Sequence, residues 1–258
     1  VINNEKVLAF VPQFNDLYST LKLNSNERSA MIPIPHAQAE VESISSILDT
    51  KILSNDQATE EAFKLLSTNY GIIHLATHGL INDKHPLDSK ILFAKNKEDS
   101  LSDGILYSHE ILNMEINAEM VVLSACNTGI GEINEGEGAL SLASSFFYSG
   151  AKSVVMSQWP ANDLSTSKLM GSFYTYLDQG MTKSAALRQA KLDYIRDESK
   201  IVTHPYFWSQ FVIYGKNAPV KRDTGNSTLV YMLMAAMTFL VGTFFLVKRQ
   251  YSKKLSAA

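Results

Sequence analysis

Two apolar runs constrain this chain more than anything else in it. Ile72-Ile73-His74-Leu75-Ala76-Thr77-His78-Gly79 and Val121-Val122-Leu123-Ser124-Ala125-Cys126-Asn127-Thr128-Gly129 each have strand length. Each reaches a side chain capable of catalysis and then a glycine. Their positions are apolar with little alternation, the pattern of a strand buried on both faces. Further runs of this kind stand at Val7 to Val11, Ser153 to Ser157 and Phe211 to Gly215, with shorter strand candidates at Lys51 to Leu53 and Ile91 to Ala94. Segments of helical period separate them. Val41, Ile44, Ile47 and Leu48 recur at helical spacing within Ala39 to Leu48. Asp56 to Leu66, Ala139 to Tyr148, Asp163 to Leu177 and Thr182 to about Ile195 read the same way. Ser108 is a candidate cap for a short helix from His109 to Leu112, and residues 12 to 33 read as a polar surface loop. Strands alternating with helices imply βαβ units and a largely parallel sheet covered on both sides. The expected class is α/β.

In such sheets the chemistry sits beyond the carboxyl ends of the strands. His78 and Cys126 are both placed there. Cys126 is the only cysteine, and His78 precedes it by 48 residues. A cysteine peptidase needs a thiolate, a proton carrier for the leaving amine, and donors for the developing oxyanion. Gly79 and Gly129 let backbone approach a substrate without a Cβ in the way. The plainer fate of a lone thiol, a buried structural cysteine, stays open on these two stretches alone.

Metal and nucleotide chemistry receive little support. His74 and His78 are four apart, a spacing that brings two ligands together on a helix but not on a strand. His74 therefore reads as a core or supporting histidine. Gly129-Ile130-Gly131-Glu132-Ile133-Asn134 lacks the third glycine of a dinucleotide loop. After Gly131 and Gly136, Glu137 stands where a phosphate-binding loop requires lysine. This segment reads as a loop beside the site, and no metal or cofactor is expected.

Several separated motifs together resemble the CHAT domain, a caspase-like domain commonly attached to tetratricopeptide repeats. They are His74-Leu75-Ala76-Thr77-His78-Gly79, Leu123-Ser124-Ala125-Cys126-Asn127-Thr128-Gly129, Gly136-Glu137-Gly138, Gly150-Ala151-Lys152-Ser153-Val154-Val155, Gln158-Trp159-Pro160 and His204-Pro205-Tyr206-Phe207-Trp208. The resemblance runs from about Val7 to Gly215. A histidine roughly 50 residues before the cysteine is also the caspase arrangement. The resemblance implies a caspase/separase-like three-layer sandwich with a mostly parallel central sheet. It implies a His78/Cys126 dyad, with Cys126 attacking the scissile carbonyl and His78 protonating the leaving amine. It also implies an oxyanion hole from the backbone N–H groups of Gly79 and Cys126. Asp163, Glu137 and Trp159 become candidate substrate-pocket residues. The two carboxylates would favour Lys or Arg at the cleavage position. Their plainer readings are a helix N-cap for Asp163 and a solvated loop carboxylate for Glu137. The expected partners are a protein substrate and an upstream tetratricopeptide-repeat region with its own ligand, although no 34-residue period is visible in this chain.

The remaining expectations come from composition and from the ends of the chain. A net charge of −3 argues against direct nucleic-acid contact. Val1 in place of Met, with no basic region leading into an apolar one, reads as the start of an internal piece of a longer chain. Leu229 to Val247 carries no charge and approaches the length of about 20 residues that crosses a bilayer. It reads as a transmembrane helix, after a domain at 1–215 and a linker at 216–228 and before a basic tail at 248–258. This gives a single-pass membrane protein. Lys248, Arg249, Lys253 and Lys254 tilt the tail toward the cytoplasm, while the domain's side of the membrane stays open. The leading function is a membrane-anchored cysteine endopeptidase acting on a protein substrate under an upstream sensor. The alternatives are a catalytically silent scaffold, acyl transfer at Cys126, and redox sensing at Cys126.

Overall fold

A computed structural model describes residues 5–14, 23, 34–82, 84–95, 102–127, 137–197, 203–220, 232, 237 and 238, with backbone alone for 125–127 and 137–141. In chain order the elements are β1 (Val7–Val11), α1 (Ala37–Ser45), β2 (Thr50–Ser54), α2 (Glu60–Leu66), β3 (Ile72–Leu80), β4 (Lys90–Leu92), β5 (Ile105–Tyr107) and α3 (Ser108–Ile111). There follow β6 (Met120–Asn127), α4 (Glu137–Tyr148), β7 (Ser153–Ser157), α5 (Asp163–Asp178), α6 (Lys183–Asp197), α7 (Pro205–Trp208) and β8 (Phe211–Gly215).

The main path of the eight-stranded sheet is β2-β1-β3-β6-β7-β8, parallel except that β8 lies antiparallel to β7, and β4 and β5 branch from β3 in antiparallel pairs. Nearly continuous apolar strands demand cover on both faces, and both are covered. On one face Phe10, Leu75, Leu123 and Met156 meet Phe63 of α2 and Leu142 and Phe146 of α4. On the other Val7, Ile72, Val122 and Val155 meet Ile44 of α1, Leu169, Phe173 and Tyr174 of α5, and Ala186 and Ala190 of α6. The result is a mixed α/β fold in three layers.

Four local differences from the sequence reading have physical causes. The helix read from Asp56 starts at Glu60, because the Thr59 hydroxyl accepts the Ala62 N–H at 3.1 Å and caps it there. Ser108 opens α3 rather than capping it, while Glu110 accepts the Tyr107 N–H at 3.0 Å. β3 does not end at His78, because Gly79 and Leu80 still pair with β6 on one side and with the antiparallel β4 on the other. Within the stretch read as a surface loop, Phe14 and Leu23 are buried against Leu80, Leu92 and Ile105.

The membrane anchor needs correction. Among the described residues no helix is long and apolar enough to cross a membrane, so the single-pass location is not supported. Most of 229–247 lies outside the described residues; within it Met232 and Met237 are 67% and 64% exposed. A charge-free run measures composition, whereas a span also needs one continuous helix to satisfy its backbone. The chain divides into a compact unit at Val1–Lys221 and a second at Arg222–Ala258.

Candidate active site

The site is built where β3 and β6 run side by side. They pair in step from Ile72↔Met120 to Leu75↔Leu123. The register then slips, and pairing resumes as His78↔Ala125, Gly79↔Cys126 and Leu80↔Asn127. β3 thus spends one residue more than β6 between the two blocks, which is a bulge, the device by which strands re-aim side chains beside active sites. Hydroxyls hold it on both sides. Ser124 Oγ donates to the Leu75 carbonyl at 3.3 Å, and Thr77 Oγ1 donates to the Leu92 carbonyl at 2.5 Å. Both strands carry the candidate residues at their carboxyl ends, so His78 and Cys126 occupy neighbouring strands one register step apart. The Cys126 side chain lies outside the described residues.

His78 is 2% exposed. The Phe14 ring covers it, with centroids 5.1 Å apart and planes tilted by 48°. Its Nε2 has no hydrogen-bond partner among the described residues. Burial penalises the imidazolium and lowers its pKa from 6.5 to about 4. The ring is therefore neutral near pH 7.

The other candidates divide. Gly79 sits in β3 between Cys126 of β6 and Ile91 of β4, its backbone within the site. Asp163 opens α5 but does not cap it, because Asn162 Oδ1 accepts the Ser165 N–H at 3.1 Å. Asp163 Oδ2 instead accepts the His36 N–H at 2.7 Å and ties α5 to α1. Burial raises its pKa, opposed by that amide. Trp159 Nε1 donates to the Tyr206 carbonyl at 3.0 Å, and the two rings stack at 6.4 Å and 26°. Tyr206 OH returns a bond to the Pro160 carbonyl at 3.0 Å. The result is a braced aromatic pair just past the end of β7. Glu137 opens α4, its side chain outside the described residues, as are residues 128–136 of the glycine-rich loop. Thus His78, Gly79 and Cys126 are adjacent, while Asp163 and Trp159 are committed to partners of their own.

Sequence reasoning missed Phe14, Tyr206, and the partners of His74. Phe14 sits in a polar stretch with no periodicity to mark it. Glu40 did carry a signal, since it lies on the same helix face as Ala37, Val41 and Ile44 and so reads as a carboxylate aimed inward.

The geometry can be set beside known proteins. A family model described as the CHAT domain matches residues 9–216. The chain belongs to the CHAT domain family. Among curated proteins the CHAT domain is similar to human tetratricopeptide repeat protein 28, 26% identical over 227 residues that cover 76% of this chain. The mouse protein of the same name is 25% identical over the same extent. The chain spans 9% of the length of these relatives. Among solved structures, the Saccharomyces cerevisiae separase–securin complex aligns with a TM-score of 0.49 at 12% identity, covering 83% of this chain and 12% of that one. Protein GSU0716 from Geobacter sulfurreducens aligns with a TM-score of 0.41 at 14% identity, covering 85% of this chain and 98% of that one.

Proposed function

We propose that this CHAT domain is a cysteine endopeptidase with His78 and Cys126 as its dyad. What supports the reading most is the β3/β6 register, which sets Gly79 opposite Cys126 and His78 one step away at the carboxyl end of the sheet. The buried, neutral His78 takes the thiol proton as Sγ of Cys126 attacks the substrate carbonyl carbon. Backbone N–H groups of Gly79 and Cys126 receive the developing oxyanion. Collapse breaks the C–N bond, and His78 passes its proton to the leaving amine. Water, deprotonated by His78, then hydrolyses the thioester and frees the second product. The Trp159–Tyr206 pair is the candidate aromatic wall for the substrate chain and Glu137 the candidate source of negative charge, Asp163 being held by the His36 N–H. The kinship with a tetratricopeptide repeat protein supports an upstream repeat region that controls the domain.

A positional peptide library tests this with the chain joined to its upstream region, wild type beside Cys126→Ala and His78→Ala. Both substitutions are expected to lower cleavage by about 10⁴-fold or more. Cleavage that survives Cys126→Ala sinks the proposal. One observation favours a second reading, a non-enzymatic scaffold. His78 is 2% exposed beneath Phe14, so a substrate does not reach it in this conformation. The scaffold reading expects Cys126→Ala to keep both partner binding and biological effect.

A further inference from the structure

β3 carries two histidines, and the peptidase reading uses only one. His74 lies four residues before His78 and is fully buried. Its ring nitrogens face side chains from two different helices. Nδ1 is 3.0 Å from the Tyr174 hydroxyl of α5, and Nε2 is 2.8 Å from Glu40 Oε1 of α1. The Glu40 contact is close but off the line of a well-formed hydrogen bond, so attraction of charge to the ring N–H is its main component. Glu40 and Tyr174 are 1% and 0% exposed. Burial and the Glu40 charge hold the Tyr174 phenol well above its usual pKa. A Tyr174 O–H that donates to Nδ1 leaves Nε2–H facing Glu40.

The apolar side chains of this layer include Val7, Ile72, Val122 and Phe173. A carboxylate, an imidazole and a phenol there are costly, and a well-packed apolar trio of similar volume would stabilise the fold as well or better. What such a chain supplies is a unique position. The neighbouring Ile72, Ile73, Leu75 and Ala76 are apolar and nearly interchangeable, so they discriminate poorly between registers. His74 discriminates, because at one height only do both nitrogens meet their partners. The partner helices are fixed to each other as well. Asp163 holds the His36 N–H, and Gly171 approaches Ser43 so closely that a Cβ there would stand 2.9 Å from Ser43 Oγ. Immediately beyond His74 and Leu75, β3 slips against β6 and delivers His78. A one-residue error at this point would turn every following side chain to the other face.

We infer that Glu40, His74 and Tyr174 form a register pin that sets β3 before its bulge and so places His78 beside Cys126. They are positioning residues, and the catalytic half of the inference rests on the peptidase reading. The test compares the full chain as wild type, Tyr174→Phe, Glu40→Leu and Glu40→Gln, with Leu169→Ala as a variant that damages the same layer without touching the pin. Amide exchange across residues 74–79 and NMR titration of the His78 ring report position without requiring activity. Tyr174→Phe and Glu40→Leu are expected to speed exchange and to move the His78 midpoint from about 4 toward 6.5. Glu40→Gln, which keeps an oxygen facing Nε2, is expected to stay near wild type. In the cleavage assay the same two variants lower kcat by about 10- to 100-fold with KM held. Unchanged exchange and titration in both variants overturn the pin, as does an equal response from Leu169→Ala. Perturbed His78 signals with cleavage indifferent to Cys126→Ala would leave the pin standing and remove the peptidase reading.

Discussion

His78 makes the stability of this domain depend on acid in a way that can be worked out. Its pKa is about 4 in the folded chain because burial disfavours the imidazolium, against 6.5 for the free side chain. Below pH 6.5 the unfolded chain takes up a proton that the folded domain refuses until about pH 4. The stability that accompanies a neutral His78 is therefore complete above about 6.5 and is lost as pH falls toward 4. A depression of about 2.5 units at 1.36 kcal/mol per unit corresponds to about 3 kcal/mol. The ring is 2% exposed, so solvent screening takes little from this figure. Urea unfolding of wild type and His78→Leu, at steps from pH 7.5 to 4, isolates it because other titrating groups cancel in the difference. The expected outcome is a gap that moves by about 3 kcal/mol in favour of His78→Leu as the pH drops. A gap constant to within about 1 kcal/mol would refute the desolvated neutral ring. A gap moving the other way would mean that an anion, with the Cys126 thiolate the nearest candidate along the strands, holds His78 as an imidazolium.

Two further outcomes concern the scaffold that carries the site. Phe63 meets Phe10 at 5.6 Å and Phe93 at 5.3 Å in the fully buried layer beneath α2. Phe63→Ala is expected to cost about 3–5 kcal/mol in urea unfolding, and a loss below about 1 kcal/mol would show that the layer can collapse around the gap. Gly215 ends β8 at φ +89, and a Cβ there would stand 2.5 Å from the Lys152 carbonyl and 2.7 Å from Phe147 Cε1. Gly215→Ala is expected to destabilise by about 1–3 kcal/mol or more in thermal melts, and a neutral result would contradict the close approach of β8 to the start of β7.

The sheet was legible because its signal is redundant. Each of β1, β3, β6 and β7 is a run apolar enough to demand cover on both faces, and the helices between them repeat at the matching period. The carboxyl-end placement of His78 and Cys126 followed from that alone. What the sequence did not display depends on pairing across space. The antiparallel sense of β8 is one case, since Phe211 to Gly215 reads identically in either direction. The extension of β3 to Leu80 is another, because it rests on pairing with β6 on one side and β4 on the other. The slip after Leu75 leaves no mark in composition, as Ala76 and Thr77 suit a regular strand equally well. The apolar run at 229–247 is a different case. Its composition is emphatic, but among the described residues no helix is long and apolar enough to cross a membrane, and most of the run lies outside them.

The two histidines of β3 show how far a motif can carry an argument. At the level of letters, His74 and His78 are equivalent, each a histidine in an apolar run. The structure separates them by what meets the ring nitrogens. His74 faces partners on both sides, drawn from α1 and α5. His78 has an Nε2 with none among the described residues, and a phenylalanine across its ring. A buried nitrogen without a protein partner costs about 1–3 kcal/mol. Placed beside a bulge and one register step from Cys126, that cost fits the acid–base role proposed for His78 better than a packing role. The same reasoning gives Phe14 its meaning, for a ring that shields His78 from water also lowers its pKa and closes the approach. Displacing Phe14 would therefore open the site and raise the basicity of His78 in a single movement.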